Sequence, residues 1–129
     1  MHKQNTIVSE SGTLYIVATP IGNLQDISER AIQTLQQVDI IYCEDTRHSI
    51  KLLNFLGIHN SLVALHEHNE EAKCAEIINK LKQKQSVALI SDAGTPLVSD
   101  PGYRIVQQAR SHNLPVTAIP GPCAAMTAL

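Results

Sequence analysis

Apolar residues along the chain gather in five short runs, at 13–19, 39–45, 61–66, 86–92 and 115–119. Runs of that length, several of them closed by Pro, Gly or Asp, predict strands. Between them the spacing lengthens to that of a helix. Residues 26–38 carry Ile27, Ala31, Leu35 and Val38 on one face, with Asp26 or Ser28 placed to cap the start. Residues 46–56 carry Ile50, Leu53 and Leu56, with Gly57 as a C-terminal cap. Residues 69–84 place Ala72, Ala75, Ile78 and Leu81 on one face of a polar amphipathic helix. A fourth helix is predicted over 103–111, and a further one starts at Pro122 or Cys123.

Strands that alternate with helices predict an α/β fold: a five-stranded, mainly parallel sheet with helices on both faces and right-handed crossovers. The fourth strand, with Val87, Ala88, Leu89 and Ile90 in succession, has the continuous apolar character of a strand covered on both sides.

Four strand-to-loop junctions share one grammar: LYIVATPIGN, IIYCEDTR, SVALISDAGTPLVSDPG and VTAIPGPCA. In an open α/β sheet such loops gather outside the carboxyl ends of the strands, where ligands bind. The loop after Ile90 is the richest. Gly94 lets a ligand approach the backbone, Pro96 stiffens the path, and Asp92 or Asp100 can accept hydrogen bonds from ribose hydroxyls or an ammonium group. In EDTR, Asp45 either caps the following helix or faces the site beside Glu44, with Arg47 available to pair with phosphate. Pro20 and Gly22 in TPIGN are equally at home in an ordinary turn. His66, Glu67 and His68 invite a metal reading, but no third ligand of matched spacing accompanies them, so no metal site is expected. Cys123 has no basic neighbour that would make it a nucleophile.

Composition narrows the choice. The 129 residues, 43% hydrophobic and 17% charged, suit one globular domain over 12–129 after a polar lead-in of 1–11. No apolar run approaches the ~18 residues of a membrane span, and the first dozen residues lack a signal-peptide core. Three scattered cysteines without CxxC spacing are expected as free thiols in a reducing, cytoplasmic compartment. A net charge of −2 offers no general attraction for nucleic acid, so an RNA partner needs a local patch or surface elsewhere. Neither a GxGxxG fingerprint nor a GxxxxGK[ST] loop is present, which argues against NAD and ATP. The apolar helical pattern running to Leu129 leads to the expectation that this is the N-terminal part of a longer protein.

Taken in order, TPIGNLQDIS, EDTR, LHEHNE, SDAGTPLVSDPG and PGPCAA resemble the N-terminal domain of the ribosomal RNA small subunit methyltransferase I family, a branch of the tetrapyrrole methylase superfamily. The likeness runs from about Gly12 to Leu129. It implies S-adenosylmethionine held between two domains, methyl transfer to the 2′-hydroxyl of a cytidine ribose in 16S rRNA, and a homodimer. By motif, Pro20 and Gly22 would line the donor pocket, Gly94, Thr95 and Pro96 would form its central loop, and Pro120, Gly121 and Ala124 would wall the adenosine. Thr95 stands where superfamily relatives have Asp, which leaves Asp92 and Asp100 as alternative donor-binding carboxylates. Asp45, Glu44 and His66 are the candidates for a base, with Arg47 beside them. The alternatives are a methylase of the same superfamily acting on a tetrapyrrole or a protein, or an inactive half that serves folding or dimerisation.

Overall fold

Covered by helices on both faces, the strands form one sheet in the order β3-β2-β4-β1-β5, and every pairing is parallel. The computed structural model describes residues 11–19, 27–44, 46–65, 69–92 and 100–119, with backbone only for 91, 92 and 100–103. In chain order the elements are β1 (Leu14–Thr19), α1 (Glu29–Gln37), β2 (Ile40–Cys43), α2 (Thr46–Leu56), β3 (Leu62–Ala64), α3 (Glu70–Lys82), β4 (Val87–Asp92), α4 (Asp100–Ser111) and β5 (Val116–Ile119). The α/β architecture expected from the alternation is therefore the one observed.

The two faces have separate cores. Val17, Ile41, Ala88 and Ile90 pack with Ala31 and Leu35 of α1 and Leu52 and Leu53 of α2. Leu14, Ile16, Val87 and Leu89 pack with Ile77 and Leu81 of α3 and Ile105 and Ala109 of α4. Consecutive residues of β1 and β4 go to opposite cores, as the two-residue period of a strand requires. The chain runs outward from β1 through β2 to β3 with its helices on one face. It then returns through β4 to β5 with its helices on the other. Right-handed crossovers force that change of face whenever the direction of winding reverses.

Helix ends follow from local chemistry. Ser28 caps α1, its hydroxyl accepting from the Ala31 N–H at 3.1 Å, so Ser28 and not Asp26 fills that role. At Gly57 (φ 72°) the Ile58 N–H reaches the Leu53 carbonyl at 2.9 Å and the Gly57 N–H reaches that of Asn54 at 3.2 Å. This is a Schellman ending. The same pattern closes α3 at Lys84 (φ 73°) and α4 at Asn113 (φ 59°).

Three expectations need correction. In α3, Ala72 and Ala75 are exposed, and the buried stripe is Glu70, Cys74, Ile77, Ile78 and Leu81. An alanine gains little from burial, so the larger Cys74 and Ile77 decide which way the helix turns. In α2 the buried residues are Ser49, Leu52 and Leu53, and Ile50 is 48% exposed: the adjacent pair Leu52 and Leu53 centres the buried stripe and turns Ile50 outward. Finally, α4 begins at Asp100 and not at Tyr103. Pro101 is compatible with that because a proline in a helix's first turn lacks only an N–H that had no partner.

One side chain on β2 ties sheet to helix. Tyr42 is fully buried, and its hydroxyl donates to Oε2 of Glu76 on α3 at 2.6 Å, while Lys73 lies 3.3 Å from Oε1 of the same carboxylate. That hydrogen bond holds the Glu76 carboxyl below the usual range, against the opposing effect of its partial burial. Burial, reinforced by Glu76, pushes the Tyr42 phenol up. A depressed carboxylate stabilises the fold above its ordinary value and loses that contribution as pH falls through its folded-state value. The raised phenol contributes fully below its ordinary value of 10.0 and loses that contribution as pH climbs toward the raised one. We therefore expect Tyr42→Phe to cost about 1 kcal/mol at neutral pH, a charged hydrogen bond discounted for solvent at Glu76. The gap between variant and parent should narrow on going from pH 7 to below the carboxylate range. Urea unfolding at the two pH values checks this, and two curves offset equally at both would contradict it.

Candidate functional site

The sheet's carboxyl edge is not level. Val17, Ile90 and Cys43 pair across β1, β4 and β2 with Ile119 of β5 and Ala64 of β3, and at that level β2, β3 and β5 all end. β1 and β4 continue for two more residues each, to the pair Thr19 and Asp92. Among the described strands these two ends reach furthest, as a crest on that edge. The connections from the crest also diverge, since β1 leads to α1 on one face and β4 to α4 on the other. Adjacent parallel strands whose connections part in this way leave a crevice that ligands occupy.

Several of the sequence-derived candidates lie along this edge. Asp92 ends β4 beside Thr19, which is buried. Glu44 directly follows β2, the other neighbour of β4, and is exposed. Arg47 is exposed on the first turn of α2. Asp100 is the first residue of α4, so it and Arg47 belong to helices on opposite faces of the sheet. Pro20, Gly22, Asp45, His66, Gly94, Thr95, Pro96, Pro120, Gly121 and Ala124 lie outside the described residues. Among the described residues no group of three His, Cys, Asp or Glu side chains could hold a metal ion, and no helix is long and apolar enough to cross a membrane.

Glu70 and Arg104 form a pair that the sequence reading did not single out. Glu70 opens α3 and is 9% exposed, and Arg104 lies near the start of α4. The Arg104 Nε is 3.1 Å from the Glu70 Oε2, an ion pair, yet its N–H is not directed at that oxygen and Oε2 accepts no hydrogen bond. Burial, then the Glu70 charge, pushes the nearby Cys74 thiol up, with Arg104 opposing, so that thiol is unreactive. An acidic residue at the first helical position was the available signal. Nothing in the sequence joined it to a residue of the next helix.

The family model of tetrapyrrole (corrin/porphyrin) methylases matches residues 13–129. The chain belongs to the tetrapyrrole methylase family. Within it, the chain is 58% identical over 119 residues to the ribosomal RNA small subunit methyltransferase I of Haemophilus influenzae, covering 92% of this chain and 42% of that relative. It therefore spans less than half the length of this curated relative. Among solved structures it is similar to a diphthine synthase (TM-score 0.69, 21% identity, 89% of this chain and 46% of that one). It is also similar to the uroporphyrin-III C-methyltransferase of Thermus thermophilus in complex with S-adenosyl homocysteine (TM-score 0.62, 16% identity, 88% of this chain and 46% of that one).

The two structural neighbours carry different names on one tetrapyrrole methylase fold, so the fold alone does not select a substrate. The described part of this tetrapyrrole methylase chain also has a pocket of about 270 Å³ at the opposite edge, between Tyr15, Arg30, Gln37 and Ser86. It lies at the amino ends of β1 and β4, and neither Glu44, Arg47 nor Asp92 lines it. The strand-end crest, with its divergent connections, is the better site.

Proposed function

We propose that this chain is the methyl-donor-holding N-terminal domain, over 12–129, of a cytoplasmic, homodimeric methyltransferase. It would use S-adenosylmethionine to methylate the 2′-hydroxyl of a cytidine ribose in 16S rRNA of the small ribosomal subunit. The observation that carries this reading is the 58% identity to a relative named as a ribosomal RNA small subunit methyltransferase. The crest supports it independently. Its Asp92 is a carboxylate at a strand end of the kind that accepts from ribose hydroxyls or an ammonium group. Asp92 belongs to the β1–β4 pair itself and Asp100 to the helix that follows, and on that ground we take Asp92 as the donor-binding carboxylate.

In this reading Pro20, Gly22, Gly94, Thr95 and Pro96 line the donor pocket, and Pro120, Gly121 and Ala124 wall its adenosine. The donor supplies an electrophilic methyl group on a sulfonium. The protein must hold the ribose oxygen in line with that carbon, and such placement alone supplies ~7–11 kcal/mol of the barrier. As the O–C bond forms and the C–S bond breaks, the hydroxyl proton passes to a base. Asp45 is the proposed base, Glu44 the neighbouring carboxylate, and Arg47 the cation that orients a phosphate.

The test offers the full-length protein labelled S-adenosylmethionine with small ribosomal subunits or with uroporphyrinogen. Label on a cytidine ribose of the 16S rRNA is the expected result. Label on the tetrapyrrole alone, or on neither, overturns the proposal.

A further inference from the structure

We propose that Glu70 and Arg104 act as a positioning pair for the donor site, setting where α4 begins relative to α3. This rests on the donor reading given above. α3 and α4 lie on the same face of the sheet, and their shared core is apolar: Cys74, Ile77, Ile78 and Leu81 from one, Ile105, Val106 and Ala109 from the other. Apolar contact is non-directional, so it resists separation better than it resists sliding. A slip of one helical residue is ~1.5 Å, and placement errors of that order are expensive for catalysis.

The charged pair supplies what the apolar contact lacks. The Glu70 carboxylate is buried, and its Oε2 accepts no hydrogen bond, so among the described residues the positive charge of Arg104 at 3.1 Å is the compensation offered to that oxygen. A buried charge without its partner is strongly unfavourable, so α4 is held at the register that keeps Arg104 over Glu70. Such a pair contributes less to stability than to the choice of one arrangement over its near neighbours. Its place in the fold gives that choice a consequence. Glu70 opens the helix after β3, and Arg104 is four residues beyond Asp100, where α4 starts after leaving the crest strand β4. Fixing Arg104 therefore fixes Asp100 relative to Asp92, the two ends of the connection that carries the donor-binding residues.

The experiment uses the full-length protein and S-adenosyl homocysteine as the calorimetric probe, with steady-state methylation of small subunits alongside. Glu70→Gln keeps the side chain's shape and leaves behind an arginine that is more than half exposed and can be hydrated, so the fold survives. It is expected to weaken probe binding about 10-fold, with KM for the ribosomal substrate unchanged within about 2-fold. Arg104→Gln should act in the same direction and also lower the melting temperature, because it strands the buried carboxylate. The double variant should bind no more weakly than the worse single one, and Arg104→Lys should recover part of the loss. Additive losses, a folded Glu70→Gln protein with parental probe affinity, or a rise in ribosomal KM at unchanged probe affinity would each overturn the positioning role. If the unaltered protein binds no probe, the donor reading itself falls, and the positioning role with it.

Discussion

Alanine at position 12 is expected to lower the melting temperature by about 10 °C, the equivalent of roughly 3 kcal/mol in a domain of this size. Gly12 is buried where the chain enters β1, and its N–H donates to the Leu81 carbonyl of α3 at 2.7 Å. A Cβ there would overlap the carbonyl oxygen and carbon of Gln85, deep inside contact distance. These are backbone atoms, and a rotamer change cannot move them away. Gln85 is itself pinned, its N–H bonded to the Lys80 carbonyl at 3.0 Å in the turn that ends α3. Either β1 or the α3–β4 turn must shift. The register that starts with Leu14 opposite Val87 and ends with Thr19 opposite Asp92 is set at this point. The damage should therefore reach the crest at the far end of the same two strands. A thermal melt checks the stability, and a variant melting within a degree or two of the parent would refute the clash.

Much of this fold was legible because its strands are short, apolar and followed at once by turn formers. Val87 to Ile90 could only be a strand buried on both sides, and Ser28 and Gly57 marked helix ends by their own chemistry. The strand order was not legible. A strand covered on both faces carries no mark of which neighbour it pairs with, so nothing in Ile40–Cys43 says that β4 and not β1 lies beside it. The left-handed residues Lys84 and Asn113 were equally hidden, since only glycine announces that conformation. Helix faces were read wrongly where alanines set the expected stripe, as at Ala72 and Ala75. That the four strand-to-loop junctions share one edge of the sheet was legible, because parallel strands all end on the same side. Glu70 and Arg104 escaped notice for the opposite reason. Their meeting depends on two helices crossing to the same face, which is a property of the topology and not of either segment.

Asp45→Ala in the full-length protein is expected to lower the methylation rate about 100-fold or more while changing donor affinity only a few-fold. Asp45 falls between Cys43, the end of β2, and Thr46, the start of α2, with exposed Glu44 before it. Two roles compete at such a position. As a helix cap, Asp45 would contribute about 1 kcal/mol to stability, and asparagine would serve nearly as well. As a base it must take a proton, which an amide cannot do. Asp45→Asn separates the two: a cap predicts parental stability and activity, and a base predicts parental stability with activity as low as that of the alanine variant. β2, the strand that leads to this position, adjoins β4 on the side opposite β1. The measurement is kcat with ribosomal substrate set against donor affinity by calorimetry. Lost donor affinity with a preserved rate would instead move Asp45 from the chemistry to the donor pocket.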